Sequence, residues 1–278
     1  MRKLKAFNLR GARTPVSSCP GATRDSSVIS EIDIGSALAP TGDTTTVCTE
    51  TGILTGGTVR LLKKEEAVEA LRRSGLIATV QIPGEQQLIR AVAALSEGGV
   101  RAVELSYATV RSAGWVVQTI KENTLLVGVG GITRSSQARE SGMLGADFVT
   151  AAVTAPDVVV ACQDMDIPCI LTSLTPTEVW RAQEMEADFV KVPAEALGGP
   201  DYVRSLHETL STRHLIGAEM PLSRYIPYLE AGVEVLEFKN SLALPKLVEE
   251  ENWAEISRRI SKIISACDAW RASGNQGF

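Results

Sequence analysis

From residue 62 onward, short apolar runs rich in β-branched residues alternate with longer amphipathic stretches about every 20 to 25 residues. Eight runs have the length and composition of strands, at 77–81, 101–106, 125–130, 147–152, 168–173, 188–192, 214–218 and 233–238. The stretches around them have helical periodicity, near 62–75, 84–98, 109–122, 135–144, 155–164, 176–186, 200–210, 221–232, 243–249 and 252–273. Mostly apolar strands are typical of a parallel sheet covered by helices.

Helix start and stop signals support this division. "TPTE" at 175–178 is a capping box with Pro176 at the first helical position. Eight strand–helix units are the number that closes a (β/α)8, or TIM, barrel. An open doubly wound sheet is the alternative, but "IPGEQQ" after the first strand is not a dinucleotide-binding fingerprint. The sequence therefore predicts an α/β barrel over 61–278, preceded by an N-terminal extension over 1–60.

Strand alternation brings two charged side chains towards one cavity. In "RAVELS" (101–106) it directs Glu104 into the barrel, and in "DFVKV" (188–192) it directs Lys191 inward and Val190 towards the helices. Chemistry in such barrels lies at the C-terminal ends of the strands. Lys191 either extends to solvent from the strand end or lies in an apolar pocket. In the pocket, a fraction of the lysine side chains would be neutral amines near neutral pH and would act as nucleophiles.

The first 60 residues differ in composition from the rest. The first 24 contain six basic residues and no acidic one, and hydroxyl residues are frequent. Such a segment resembles an organelle transit peptide; the alternatives are a disordered arm and a docking arm for a partner.

Composition excludes several functions. A net charge of −5 argues against nucleic-acid and anionic-membrane partners, and no window has the roughly 18 continuous apolar residues of a membrane span. The five cysteines show no paired metal-ligand spacing and are typical of reduced thiols in an intracellular compartment. With only His207 and His214 present, acid–base chemistry must fall to Lys, Glu, Asp or Tyr. We expect no metal and no cofactor.

Four segments, "VELSYAT" (103–109), "LLVGVGGI" (125–132), "IPCILTSLTPTEV" (167–179) and "DFVKVPAEALGG" (188–199), resemble the 2-keto-3-deoxy-6-phosphogluconate / 4-hydroxy-2-oxoglutarate (KDPG/KHG) aldolases. The likeness covers about 65–272, and "LTPTEV" with "YLEAGVEVLEF" (228–238) is most similar to the plant-type branch. It implies a metal-free class I aldolase that releases pyruvate from a small 2-keto acid through a Schiff base on Lys191, with Glu104 moving protons. It also implies a homo-oligomer, a trimer. The substrate-binding positions would be Ser106, Gly130, Gly131, Thr172, Lys239 and Ser241.

Several positions depart from the family pattern. The family usually has two residues between its lysine and the following proline, whereas only Val192 intervenes here. Aligning from the proline would place Val190 at the lysine position; we prefer Lys191, because a loop absorbs a deletion more easily than a strand does. Ala108 replaces an arginine and Gly131 a threonine, and Ala218-Glu219 replaces a phosphate-binding glycine pair.

Two functions follow from this pattern. One is an aldolase that disfavours phosphorylated substrates, because Glu219 is expected at a helix N-terminus, where its carboxylate would repel the phosphate. Lys239 would offset part of this repulsion, unless Lys239 pairs with Glu237 instead. The other is a catalytically inactive barrel, a subunit of a larger complex. The extension together with the plant-type likeness predicts a chloroplast location, with the cytoplasm as the alternative.

Overall fold

The computed structural model describes residues 62–123, 125–212, 214–239 and 241–274, together with an antiparallel hairpin of Cys48–Thr49 and Gly52–Ile53. Except for that hairpin, the predicted N-terminal extension lies outside the described residues. No helix in the described part is both long enough and apolar enough to cross a membrane.

Eight parallel strands close into a barrel, as the sequence predicted. They are β1 (Leu76–Val80), β2 (Ala102–Ser106), β3 (Leu126–Ile132), β4 (Phe148–Ala151), β5 (Cys169–Thr172), β6 (Phe189–Val192), β7 (Leu215–Ala218) and β8 (Val235–Lys239). Each strand pairs with the next in chain order, and β8 pairs with β1 to close the ring. This is a TIM barrel.

The helices are α1 (Lys64–Ser74), α2 (Glu85–Glu97), α3 (Tyr107–Ser112), α4 (Trp115–Lys121), α5 (Ser135–Met143), α6 (Pro156–Asp164), α7 (Pro176–Glu184), α8 (Pro200–Leu210), α9 (Tyr225–Glu230), α10 (Pro245–Glu249) and α11 (Trp253–Ala272). A short 3-10 helix follows β6 at Ala194–Leu197. The predicted capping box is present: the Thr175 hydroxyl accepts from the Glu178 amide, and the Glu178 carboxylate accepts from the Thr175 amide. Gly75 ends α1 in the left-handed conformation, at φ 60°.

Two predicted helices differ from the structure. The pattern at 109–122 forms two helices, α3 and α4, because the chain leaves helical geometry at Ala113 (φ −142°, ψ 60°). Gly114, the N-cap of α4, packs so closely against Leu144 that a Cβ there would lie 2.9 Å from the Leu144 side chain. The helix predicted at 221–232 is α9 alone, since a turn closed by the Arg224 amide on the Pro221 carbonyl precedes it.

The apolar core has two parts. Outward-facing strand residues such as Val103 and Val190 pack against the helices in one continuous cluster. Inside the barrel, one side chain from each strand forms an apolar layer, and Leu71 of α1 packs against it: Ile77, Ala102, Leu126, Phe148, Ile170, Phe189, Ile216 and Val235. Helix α1 therefore covers the bottom of the barrel.

Candidate active site

Directly above the apolar layer, the barrel interior becomes polar. Two residues further along six of the same strands stand Thr79, Glu104, Thr150, Thr172, Lys191 and Glu237, which we call the polar layer. Alternation along a strand returns a side chain to the same face every second residue. The apolar layer therefore fixes which residues of the next layer point inward.

Lys191 lies between two carboxylates. Its Nζ is 3.0 Å from Glu237 Oε2 and 3.8 Å from Glu104 Oε1, and its side chain is 14% exposed. Val190, the alternative at this position, is buried against the helices. The lysine rather than the valine therefore faces the cavity, and it does not extend freely to solvent.

Glu104 is held by its neighbours on β3 and β4. Thr150 Oγ1 donates a hydrogen bond of 2.5 Å to Glu104 Oε2. Gly130 leaves room for the carboxyl group, because a Cβ there would lie 2.2 Å from Glu104 Oε1. Burial raises the pKa of Glu104, the positive charge of Lys191 lowers it in part, and the negative charge of Glu237 raises it further. The net result is a raised pKa, so this carboxyl group takes up a proton more readily than an exposed glutamate.

Glu237 is the charged residue that sequence reasoning did not assign to the site. Its side chain is almost fully buried, and Thr79 Oγ1 donates a 2.6 Å hydrogen bond to its Oε1. The suggested pairing of Glu237 with Lys239 is wrong, since Glu237 pairs with Lys191. Alternation in "VEVLEF" could have found it, because Val235 and Glu237 share one face of β8.

The charge state of Lys191 also differs from the sequence prediction. Burial lowers the pKa of the ammonium group, but Glu104 and Glu237 outweigh burial and raise it above the ordinary lysine value. A single carboxylate had been expected beside the lysine, with some free amine near neutral pH. With two carboxylates the resting side chain is an ammonium group.

The remaining predicted substrate-binding residues lie around the top of the barrel, and their roles stay predictions. The Ser106 hydroxyl caps α3 by accepting from the Thr109 amide at 3.1 Å. Thr172 Oγ1 donates to the Ala151 carbonyl at 2.7 Å. Gly131 has φ 80°, and a Cβ there would meet no atom within 4 Å. The Ser241 amide donates to the Lys239 carbonyl at 2.6 Å.

Glu219 and Lys239 form an exposed pair at the rim, with 3.5 Å between Lys239 Nζ and Glu219 Oε1. The sequence suggested that Glu219 lies at a helix N-terminus. The structure contradicts this, because α9 begins only at Tyr225. It has φ 58°, in the left-handed region that glycine favours. Any effect of Glu219 on an anion therefore comes from its carboxylate and not from a helix dipole.

An open groove of about 710 Å³ lies between the loop after β1 and helix α3. Ile82, Pro83 and Ala108 are among its lining residues, whereas no residue of the polar layer lines it. Within the described ranges, no cluster of His, Cys, Asp and Glu side chains has the arrangement of a metal site.

A sequence model of the family described as "KDPG and KHG aldolase" matches residues 67–259, which is more than half of the chain. The chain belongs to the KDPG and KHG aldolase family. A 2-dehydro-3-deoxy-phosphogluconate aldolase of Treponema pallidum (strain Nichols) is 31% identical over 140 residues, covering 50% of this chain and 67% of the relative. A Haemophilus influenzae protein of the same name is 23% identical over 216 residues, covering 72% and 96%.

Solved structures of KDPG aldolases have the same fold as this family member. The Legionella pneumophila enzyme, with pyruvate captured at low pH as a covalent carbinolamine, has a TM-score of 0.63 and 17% identity, covering 71% of this chain and 97% of that one. The Zymomonas mobilis ZM4 enzyme with 3-phosphoglycerate has a TM-score of 0.62 and 16% identity, covering 72% and 95%. At these identities the likeness supports the barrel and nothing finer.

In this KDPG/KHG aldolase-family barrel, the polar layer has the parts that imine chemistry requires. A primary amine is within a few ångströms of a carboxyl group that exchanges protons readily, and a second carboxylate balances the charge of the ammonium form. All three side chains come from rigid strands, and each has at least one fixed partner.

Proposed function

We propose that this protein is a class I aldolase that cleaves a 2-keto-4-hydroxy acid to pyruvate and an aldehyde, with Lys191 as the nucleophile and Glu104 as the proton carrier. The observation that carries the proposal is the buried amine of Lys191, 3.8 Å from a carboxyl group whose pKa is raised. The family supports the reaction class.

The reaction begins with the neutral amine of Lys191. It attacks C2 of the keto acid to give a carbinolamine, and the hydroxyl group takes a proton from solvent and leaves as water to give a protonated imine. Glu104 takes the proton of the C4 hydroxyl, the C3–C4 bond breaks, and its electron pair moves into the imine to form an enamine while the aldehyde leaves. Glu104 then returns the proton to C3, and water hydrolyses the imine to release pyruvate.

The environment of Glu104 suits this exchange. A proton carrier is most effective when its pKa approaches the working pH, and burial and Glu237 both raise the pKa of Glu104 towards that range. The Thr150 hydroxyl and the space above Gly130 hold the carboxyl group in one position, and fixed geometry lowers the entropic cost of proton transfer.

The substrate we propose carries no phosphate, with 4-hydroxy-2-oxoglutarate as the first candidate. Glu219 places a negative charge at the rim, and Lys239, the nearby cation, is already paired with it. The Treponema pallidum and Haemophilus influenzae relatives are named for a phosphorylated substrate. A carboxylate at the rim is a direct physical reason for disfavouring a substrate that carries a phosphate.

A second candidate function is a catalytically inactive barrel that acts as a binding subunit. The observation in its favour is the raised pKa of Lys191, because an ammonium group held by two carboxylates is not a nucleophile. Assembly as a trimer or as part of a larger complex and a chloroplast location stay predictions, as do the plant-type relationship and the loss of family binding groups.

Borohydride reduction in the presence of pyruvate separates the two functions. An active imine site should gain a stable mass on the peptide that contains Lys191, read by mass spectrometry. Lys191→Met should abolish the adduct, while Lys239→Met, which removes the rim lysine instead, should retain it. If no adduct forms at any pH up to the alkaline limit of stability, or if it maps to Lys239, the inactive barrel is the better description.

A further inference from the structure

We propose that Glu237 is a positioning residue for Lys191: it anchors Nζ on the β8 side of the barrel and neutralises the ammonium group, which leaves Glu104 free to carry substrate protons. This assignment deepens the proposed function and rests on it for its catalytic meaning.

The geometry favours Glu237 over Glu104 as the anchor. Lys191 Nζ lies 0.8 Å closer to Glu237 than to Glu104, at 3.0 against 3.8 Å. Glu237 is itself fixed by the Thr79 hydroxyl at 2.6 Å. Since β8 pairs with β1, the strand that carries Thr79, this anchor is part of the seam that closes the barrel.

The buried carboxylate of Glu237 depends on its ion pair with Lys191 for stabilisation. The residue is 3% exposed, and an isolated carboxylate at such a depth is strongly destabilising. Thr79 satisfies only Oε1. Oε2 is buried and, within the described part of the chain, receives no aligned hydrogen bond, so its stabilising interaction is the ion pair with Nζ.

The charges that face Lys191 come from three elements. Glu104 stands on β2, Glu237 on β8 and Glu219 after β7, and the charge of Glu219 is partly balanced by Lys239. The negative charge of Glu237 raises the pKa of Glu104, so Glu104 is the carboxyl group that takes up protons readily. The shorter distance to Nζ gives Glu237 the role of anchor, which divides two roles between the two residues.

This division has a mechanistic consequence. The ammonium group must lose a proton before the amine attacks a carbonyl carbon, and in the resting site Glu237 holds that proton in place. Removing the charge of Glu237 therefore makes the amine available at lower pH. It also frees the nitrogen from its anchor, so attack is less well directed.

The test measures the protonation of Lys191 directly. Trace acetic anhydride acetylates only neutral amines, so the acetylation of each lysine as a function of pH, read by mass spectrometry, gives its titration midpoint. Lys246, whose side chain is 82% exposed, is the internal reference. The variants are Glu237→Gln, which keeps the shape, and Glu237→Leu, which removes the polar group altogether. Glu230→Gln removes an exposed carboxylate outside the polar layer as the matched control.

We expect the Lys191 midpoint to fall by about one pH unit or more in both Glu237 variants and to stay unchanged in Glu230→Gln, because removing an ion-pair partner shifts a pKa by this amount. The pH profile of pyruvate trapping should move in the same direction, with a lower plateau. An unchanged midpoint in folded Glu237 variants, or an equal shift in Glu230→Gln, overturns the assignment. A shifted midpoint without any pyruvate adduct on the wild type supports the anchor and refutes the aldolase instead.

Discussion

Two adjacent layers of the barrel interior are built by the same strands and have opposite character. Phe189 and Lys191 both come from β6, and Val235 and Glu237 both come from β8. The lower layer is apolar and closed by Leu71, whereas the upper layer contains two carboxylates and one ammonium group with few exposed atoms. Along each of these strands, a single outward-facing residue separates the two layers.

The two layers therefore contribute different properties: the lower layer stabilises the barrel, and the upper layer supplies the charged groups of the candidate active site. Apolar side chains in the lower layer gain free energy from burial and close packing. The upper layer loses free energy by desolvating charges and recovers it only through ion pairs and hydrogen bonds. Substitutions in the lower layer should therefore act on stability at every pH, and those in the upper layer should act through charge.

The largest effect is expected from Phe148→Ala. The ring is fully buried in the apolar layer and packs against Gly128, where a Cβ would overlap it. Its truncation should lower the free energy of unfolding by about 3–5 kcal/mol, measured by urea denaturation. The loss should be equal at pH 7 and pH 5, because no charge of Phe148 titrates. A loss that depends strongly on pH would mean that the two layers are not independent.

Lys191→Met is next and should behave differently. It leaves Glu104 and Glu237 without their cation, and since Lys191 lowers the pKa of Glu104 in the native site, that already raised pKa rises further. The folded state is then favoured at low pH and loses stability as the pH rises towards the raised pKa of Glu104. We expect a loss of about 3 kcal/mol at pH 7 that shrinks towards pH 5.

The double variant Lys191→Met with Glu237→Gln is the control for this effect. Removing one of the two uncompensated charges should restore part of the stability at pH 7 and flatten the pH dependence. If the single variant is as stable as the wild type at pH 7, the two carboxylates of the polar layer do not depend on the lysine.

Gly130→Ala tests the position of Glu104 with one methyl group. The added Cβ would lie 2.2 Å from Glu104 Oε1, so the carboxyl group must move away from Thr150. We expect turnover to fall about a hundredfold, while pyruvate trapping persists because imine formation does not need that position. Gly274→Ala is the matched control: the residue follows α11, outside the polar layer, and its Cβ meets no atom within 4 Å, so the substitution should leave turnover nearly intact. Equal losses of turnover in both variants would mean that the space at Gly130 does not set the catalytic position of Glu104.

Most of the barrel could be predicted from the sequence, because apolar runs and helix caps are local signals. The inward direction of Lys191 and Glu104 followed from alternation, which a strand of a closed barrel cannot shift by one residue. Helix α9 was predicted too long, since the turn before it is set by the carbonyl of Pro221 and not by apolar periodicity.

The charge balance of the site could not be predicted in the same way. Whether Glu237 pairs with Lys239 on its own strand or with Lys191 across the barrel depends on distances between strands β6 and β8, which the sequence does not contain. The pKa of Lys191 depends on that choice. Glu104 and Glu237 together reverse the direction expected from burial alone.

The smallest effect concerns Glu219, where charge and backbone strain can be separated. Glu219→Gly and Glu219→Ala both remove the carboxylate, so both should improve cleavage of a phosphorylated substrate relative to 4-hydroxy-2-oxoglutarate. Only glycine relieves the strain at φ 58°, worth about 1 kcal/mol before the entropy that glycine adds to the unfolded chain. We therefore expect Glu219→Gly to be more stable than Glu219→Ala by about 0.5 kcal/mol, measured by urea denaturation. If neither variant changes the preference between the two substrates, the rim charge does not select the substrate. The preference between the two substrates would then be determined by residues of the polar layer.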